Sequence, residues 1–512
     1  MTADDPAGAD SGVGTASRLR AALRRRFGVD PRAFAAFRFA LGAVLLVDLA
    51  LRARNLGAFY TDAGVLPRAA LADAYPLGAR LSLHAVSGSA PAIAALFLAA
   101  AIAAVALAVG YRTRVATAVS LVLLASLQAR NPFVLNAGDT LLLQLVGAGL
   151  LCPLGARWSV DAARRRRNGD AAATGTTADS GGDPVAGPAA ALPLTLVVVV
   201  YVSNAVVKLR GTAWPAGEAV ERVFRLTYLH GPLGGVVPEW SPLLSAATYG
   251  WLALVVASPL LVAAAGRLRA ALAGTLLAAH LSMAVTLQIG VFPLVSAAAL
   301  LPFFPPPVWN RVERAAAPTA DRLRRGAADR LRSSGPTPEG GPARAVRERA
   351  AAAVPVVAAA LLVALVAWNG MALGLVETPD PVASVSDPTE RGWDMFAPDP
   401  PSTDALVLAT ATTADGERID ALYGDRVARD RPAADARAYP TARWRKFLTQ
   451  VADDPDPGRV DPLLAHLCDR ASGVGDAGDG RIRSVTVSAV DVDVNGGGTR
   501  VDELGRRSCP AP

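Results

Sequence analysis

Cysteine is nearly absent: Cys152, Cys468 and Cys509 are the only three in 512 residues. That is too few for a disulfide framework, and none stands in a metal-type spacing. Cys468 and Cys509 both fall in the C-terminal part, and the sequence leaves open whether they pair. Charge is also scarce, at 19% of residues against about a quarter in soluble globular domains. Lysine is scarcer still. Of 51 lysines and arginines, only Lys208 and Lys446 are lysine. P-loop, Rossmann, Ser-x-x-Lys and haem motifs are missing, which excludes the common nucleotide-binding and acyl-serine signatures. The first thirty residues lack a cleavable signal pattern.

What the chain has is apolar length. Hydrophobic residues make up 52%, mean hydropathy is +0.33, and the net charge is +7. The apolar residues come in long blocks rather than short alternations, the mark of a polytopic membrane protein. Nine blocks are legible, at 34–51, 91–109, 115–128, 140–154, 192–207, 243–265, 270–290, 291–304 and 350–375. Blocks three and four are shorter than the ~20 residues that cross a bilayer comfortably, so they extend into their turns or are covered by protein. Arginine clusters precede block one and follow blocks two, four, six and eight. They therefore occupy every second connection, as the positive-inside rule requires of nine spans with a cytoplasmic N-terminus. Clusters that hug membrane ends in this way do not indicate nucleic-acid binding.

The expected organisation is an α-helical membrane protein of about nine spans with a small C-terminal soluble domain, α+β or mostly β. Residues 1–30 form a basic cytoplasmic segment and 31–309 a bundle of eight spans. An Arg-rich cytoplasmic loop covers 310–349, the ninth span 350–376, and an outer-face domain 377–512. From residue 377 onward 24 acidic residues outnumber 16 basic ones. Runs 405–412 and 481–494 alternate as strands do, and 442–448, ARWRKFL, reads as helix. Residues 155–191 open basic and amphipathic and continue as low complexity, read as a disordered loop. The expected location is the cell membrane, multi-pass, with the bilayer as first partner.

Lys208 ends an apolar run of membrane length, LPLTLVVVVYVSNAVVK. Arginine keeps its proton, whereas a desolvated lysine can lose it, so Lys208 is the candidate base. The alternative is a snorkelling lysine reaching for lipid headgroups. His280, in mid-span, is either a proton relay or a hydrogen-bonding structural group. Asp139 starts the fourth span, as an N-cap or as a carboxylate paired with Lys208. Arg38 and Asp48, inside the first block, are expected to face protein rather than lipid. The run 491–496 superficially resembles a calcium loop but lacks the Glu that such a loop needs, so it reads as strand and turn.

Several stretches resemble the horizontally transferred transmembrane (HTTM) domain family, related to vitamin K-dependent gamma-carboxylases. They are RFALGAVLLVDLALRARNLGAFYTDAGVLPR, NPFVLNAGDTLLLQL with LGARWSVDA, YVSNAVVKLRGTAWPAGEAV, HLSMAVTLQIGVFP, WDMFAPDPP and ARWRKFL. Together they span most of residues 30–450. The resemblance implies that Lys208, in the K-L stretch shortly before Trp214, is the base that deprotonates a reduced quinone. The resulting anion reacts with oxygen, and the strong base so formed removes a glutamate γ-proton before carbon dioxide adds, chemistry of the lyase or oxygenase type. Trp214 is the candidate cofactor contact. The family's histidine after an Asn pair is missing from the turn Asn136-Ala137-Gly138-Asp139, and only about 135 residues follow the ninth span. These departures place the chain nearer the HTTM branch than the carboxylases proper.

Two other functions compete. A non-catalytic scaffold would bind a protein partner through its outer domain, around Trp393-Asp394-Met395-Phe396. A transporter would show inverted repeats or paired broken spans, and the sequence displays neither.

Overall fold

The computed structural model describes residues 18, 21–167, 183–328, 342–423, 439–473, 481–496 and 498–510. Each of the nine apolar blocks carries a helix: α1 Pro31–Ala53, α2 Ala90–Val109, α3 Thr113–Arg130, α4 Ala137–Leu151, α5 Pro188–Arg210, α6 Ser241–Val256, α7 Gly266–Thr286, α8 Phe292–Leu300 and, after α9 Pro306–Ala328, α10 Pro342–Ala372. Five of them are long and apolar enough to cross a membrane, namely α1, α2, α5, α7 and residues 351–372 of α10; the bent pair α8–α9 makes six if counted as one span. The protein is thus a helical multi-pass membrane protein by length and composition.

The helix ends follow local chemistry. Asp30 caps α1, accepting from the Arg32 amide, with Pro31 in the first turn, where its missing N–H costs nothing. Asn136 and Asp139 close α4 with a capping box: Asn136 accepts within the first turn and Asp139 accepts the Asn136 amide at 2.9 Å. Asp139 is therefore the third helical residue, not the cap itself. Block three gains length by running into its turns, whereas α4 stays at 15 residues and is covered by protein on much of its surface. The connection 54–89 folds as short helices, Leu56–Tyr60, Arg68–Ala74 and Pro76–Leu81.

Four expectations need correction. Block six breaks at Ala257–Pro259, leaving α6 and a separate turn, Leu260–Ala263; Pro259 interrupts the helical hydrogen bonding. Block eight bends 107° at the prolines into α9. The Arg-rich loop is in large part helical: α9 runs to Ala328 and α10 starts at Pro342, because the alanines and arginines there are strong helix formers and each helix opens on proline. Of the supposedly disordered 155–191, Val160–Arg167 is helix and Val185 pairs with Val29; the rest of the low-complexity stretch, 168–182, lies outside the described residues, as do 1–17 of the N-terminal segment.

In the bundle α2 packs on α1, α3 on α2, and α8 on α4 and α7, with α5 central between α4, α6 and α10. The apolar window of α10 is 6% buried against 56% in α1 and α5, so α10 is peripheral and its apolar surface is left for lipid. Arg38 is buried and binds four backbone carbonyls, of Ala108, Leu154, Arg157 and Trp158, at 2.6–3.3 Å. It ties the C-terminal end of α2 to the loop 154–158.

The C-terminal domain is α+β. An antiparallel sheet of order β2-β1-β3-β4 comprises β1 Thr403–Thr413, β2 Arg418–Asp420, β3 Ile482–Asp493 and β4 Thr499–Ser508, with helices α11 Ala442–Asp453 and α12 Pro457–Gly473 packed against it. Residues 491–496 are strand end and turn, with Gly496 at φ +94°. Cys468 on α12 and Cys509 after β4 form a disulfide.

This domain is built into the bundle. Arg443 of α11 reaches Asp48 at 2.5 Å and Asp139 at 3.1 Å, while Arg52 bonds Asp48 at 2.7 Å, Tyr60 at 2.8 Å and Asp139. Two arginines and two aspartates thus close a buried, charge-balanced quartet. Trp444 packs on Phe59 with ring centroids 4.8 Å apart and donates to Asn55. Thr227 bonds Asp404 of β1 at 2.6 Å.

Candidate functional site

Lys208 lies in the last turn of α5, where a cation complements the helix dipole. It is neither lipid-facing nor solvated, at 1% exposure. Residues 392–399, arriving from α10, cross over it. Lys208 Nζ donates to the carbonyls of Met395 at 2.9 Å and Phe396 at 3.2 Å, and sits 3.6 Å from the Trp214 ring centroid. Trp214 Nε1 also donates to Phe396 O, at 2.7 Å. One turn earlier Asn204 donates to Trp393 O and Met395 O.

The crossing is tight. A Cβ on Gly211 would stand 2.2 Å from Pro398 O, so glycine is required there. Asp399 accepts the amides of Thr212 at 2.9 Å and Ala213 at 2.6 Å. Phe396 holds φ at +55°, a left-handed conformation costly for a bulky residue. It persists because its carbonyl is held by Lys208 and Trp214 together.

Beneath the crossing segment lies a cavity of about 560 Å³, mainly apolar, between α5, α6, α7 and the segment itself. This is the size and character of a small-molecule pocket. Its inner wall carries His280, whose Nε2 is 2.8 Å from the Tyr201 hydroxyl and whose Nδ1 has no hydrogen-bond partner among the described residues. Trp251, Tyr201 and Phe292 ring His280 at 5.4–6.0 Å. Lys208, Trp214 and Trp393 line the roofed end, together with Arg445 and Lys446 of α11. Both lysines of the chain therefore border one cavity, from positions far apart in sequence.

The two amines differ. Lys208 faces two carbonyls and an indole face. The carbonyls match the two N–H bonds of a neutral amine, and the indole receives the third that protonation adds. Lys446 is half-buried and, among the described residues, has no hydrogen-bond acceptor on its ammonium. Burial pushes its pKa below the ordinary lysine value, and Arg445 adds to the effect; Asp453 and Asp394 oppose it.

Of the four site residues expected from sequence, Lys208, Trp214 and His280 meet at this cavity. Asp139 does not. The same turn contributes Asn136 and Ala137 to the lining, but the Asp139 carboxylate turns away to Arg52 and Arg443, so the Asp139–Lys208 pair is not formed. Sequence reasoning left out Asn204, Tyr201 and Lys446; only Lys446 carried a signal, its rarity. Among the described residues no three of His, Cys, Asp and Glu converge as a metal site needs.

No protein-family model, no curated protein and no solved structure matches the chain.

Proposed function

We propose that this chain is an HTTM-like integral membrane enzyme, its nine helical segments all crossing or entering the bilayer, with a reduced quinone or similar lipid-soluble aromatic bound in the cavity above. The observation that carries the reading is the cavity itself: an apolar, aromatic-walled space on a membrane helix bundle, with Lys208 at one end and His280 at the other. A bound reduced quinone would supply an acidic hydroxyl and a source of electrons. The protein would supply a flat apolar slot between Trp251, Phe292 and Trp393, exclusion of water by residues 392–396, and a proton acceptor at Lys208 Nζ. Accepting that proton creates an ammonium whose third N–H meets the Trp214 face. The topology that fits is N-terminus cytoplasmic and C-terminal domain on the outer face of the cell membrane, where a disulfide persists.

The test uses the full chain in nanodiscs. Reduced naphthoquinone should bind and quench tryptophan fluorescence. Ala279→Phe, which fills the cavity, should weaken binding tenfold or more. Lys208→Arg should leave binding within a few-fold yet abolish turnover, because arginine cannot exchange the proton. Full turnover by Lys208→Arg would remove the base role; unchanged binding by Ala279→Phe would remove the cavity. The scaffold alternative loses ground on one point: the backbone of residues 393–396 is engaged with the bundle, not offered to a partner.

A further inference from the structure

A second cavity, of about 520 Å³, lies at the other end of α7, between its first turns, residues 302–307 and the N-terminal flank. It shares no residue with the cavity around Lys208. Arg269 and His280 are eleven residues apart on α7, so about 16 Å separates the two sites along the helix.

Arg269 lines this cavity and is only 5% exposed. Its Nη1 donates to Arg26 O at 3.0 Å, and its guanidinium lies 5.3 Å from the Phe303 ring centroid. Nε and Nη2 are buried and, among the described residues, have no hydrogen-bond partner. A guanidinium cannot discharge itself to escape this position, and each unmet buried donor is costly. The free atoms are not arbitrary. Nε–H and the neighbouring Nη2–H point the same way and form the two-pronged edge that receives two oxygens of one oxyanion.

The surroundings select the ligand further. Arg24 and Arg25 also line the cavity and are exposed at its rim. Of the two carboxylates present, Asp30 is already occupied by Arg32, at 2.8 Å, and Asp183 is exposed. Three guanidiniums therefore line the cavity against one carboxylate, Asp183, for which no ion pair is found among the described residues. The wall from Pro302 to Pro307 is apolar, and Pro306 and Pro307 in it are exposed.

We propose that this cavity binds a phosphate group, held by the Nε/Nη2 edge of Arg269 and steered by Arg24 and Arg25, and that the phosphate belongs to the headgroup of an anionic phospholipid. The apolar wall beside the arginines accommodates the glycerol and upper acyl region, which a free phosphate would leave unused. Burial of Arg269 makes the contact specific rather than a diffuse attraction to a charged surface.

The experiment uses the full-length protein in detergent, titrated with short-chain phosphatidylglycerol, short-chain phosphatidylcholine or inorganic phosphate, read by thermal midpoint and native mass spectrometry. Phosphatidylglycerol should bind at least tenfold more tightly than phosphatidylcholine, less so as salt rises, and should raise the midpoint. Arg269→Gln should abolish that preference and that shift while keeping the midpoint in phosphatidylcholine. If Arg269→Gln does not fold, the exposed double variant Arg24→Gln/Arg25→Gln decides, with a several-fold loss expected. Stabilisation by inorganic phosphate as great as by phosphatidylglycerol would assign the site to a soluble phosphate-bearing ligand and overturn the lipid assignment. Equal binding of both lipids with no response to phosphate, or a preference untouched by both variants, overturns the site altogether. Neither variant reaches the Lys208 cavity, so naphthoquinone binding should be unchanged in both.

Discussion

Arg443 is the residue whose removal says most about how the protein is held together. It brings the second positive charge to a buried quartet and carries the C-terminal domain with it. Replacing Arg443 with methionine leaves Asp48 and Asp139 sharing Arg52 alone, with one carboxylate charge uncompensated at 1% side-chain exposure. Methionine preserves much of the apolar volume but also deserts the Val134 carbonyl, which Arg443 binds at 3.0 Å. Breaking a buried ion pair on one side costs about 3–5 kcal/mol. The loss should appear as undocking of α11, raising its opening equilibrium roughly 150- to 5,000-fold. Hydrogen exchange of amides 442–453 in nanodiscs reads this directly, and the β1–β3 amides serve as an internal control because the sheet hydrogen bonds do not depend on Arg443. The double variant Arg443→Met/Asp139→Asn restores one charge of each sign and should recover at least half of the protection. Its coupling to the single variants then measures the network rather than the side chain. Protection of α11 unchanged in Arg443→Met would show that the quartet does not hold the domain, and the reasoning would be wrong.

Other outcomes follow from the same contacts. Only Lys208, Lys446 and the N-terminus carry amines, so acetylation read by peptide mass is nearly background-free; Lys446 should half-titrate below the ordinary lysine value of 10.5. With the folded value the lower one, Lys446 detracts from stability at neutral pH, and the penalty fades as pH rises toward 10.5. A half-titration at or above 10.5 would contradict its burial. Reducing the Cys468–Cys509 bridge, which closes 41 residues, should destabilise the C-terminal domain by about 4 kcal/mol on the chain-entropy account; exchange of α12 and β4 amides measures it, and no change would place the stability elsewhere. Gly211→Ala should loosen the crossing segment, since its Cβ meets Pro398 O; the readout is faster exchange of amides 393–399, and unaltered exchange would mean the close approach relaxes freely.

The sequence made some of this legible and not the rest, for physical reasons. Long apolar blocks declare helices because their hydropathy is local, and every one of the nine falls on a helix. Lys208 could be found because one of only two lysines in an arginine-rich chain is visible without a fold. Strand alternation at 405–412 and 481–494 gave the sheet in the same way. What stayed hidden was long-range: Asp139 looks like a helix start, and nothing near it announces Arg443, 304 residues later. That Asn204 and Lys208 hold the carbonyls of 393–396 was equally hidden, because a carbonyl's partner cannot be read from side-chain order. The helical stretch 310–328 looked like a loop because Pro318 within it was weighed as a breaker, whereas the helix starts upstream at Pro306 and runs through Pro318.

The quartet also has a consequence for biogenesis. A ribosome delivers Asp48, Arg52 and Asp139 to the bilayer long before Arg443 exists, with one surplus negative charge between them. At about 5–20 residues per second, the 304 intervening residues impose a wait of roughly 15–60 s. Until then the early helices hold a place open for a residue not yet made, and a chain that stops short of α11 is left with a charged hollow.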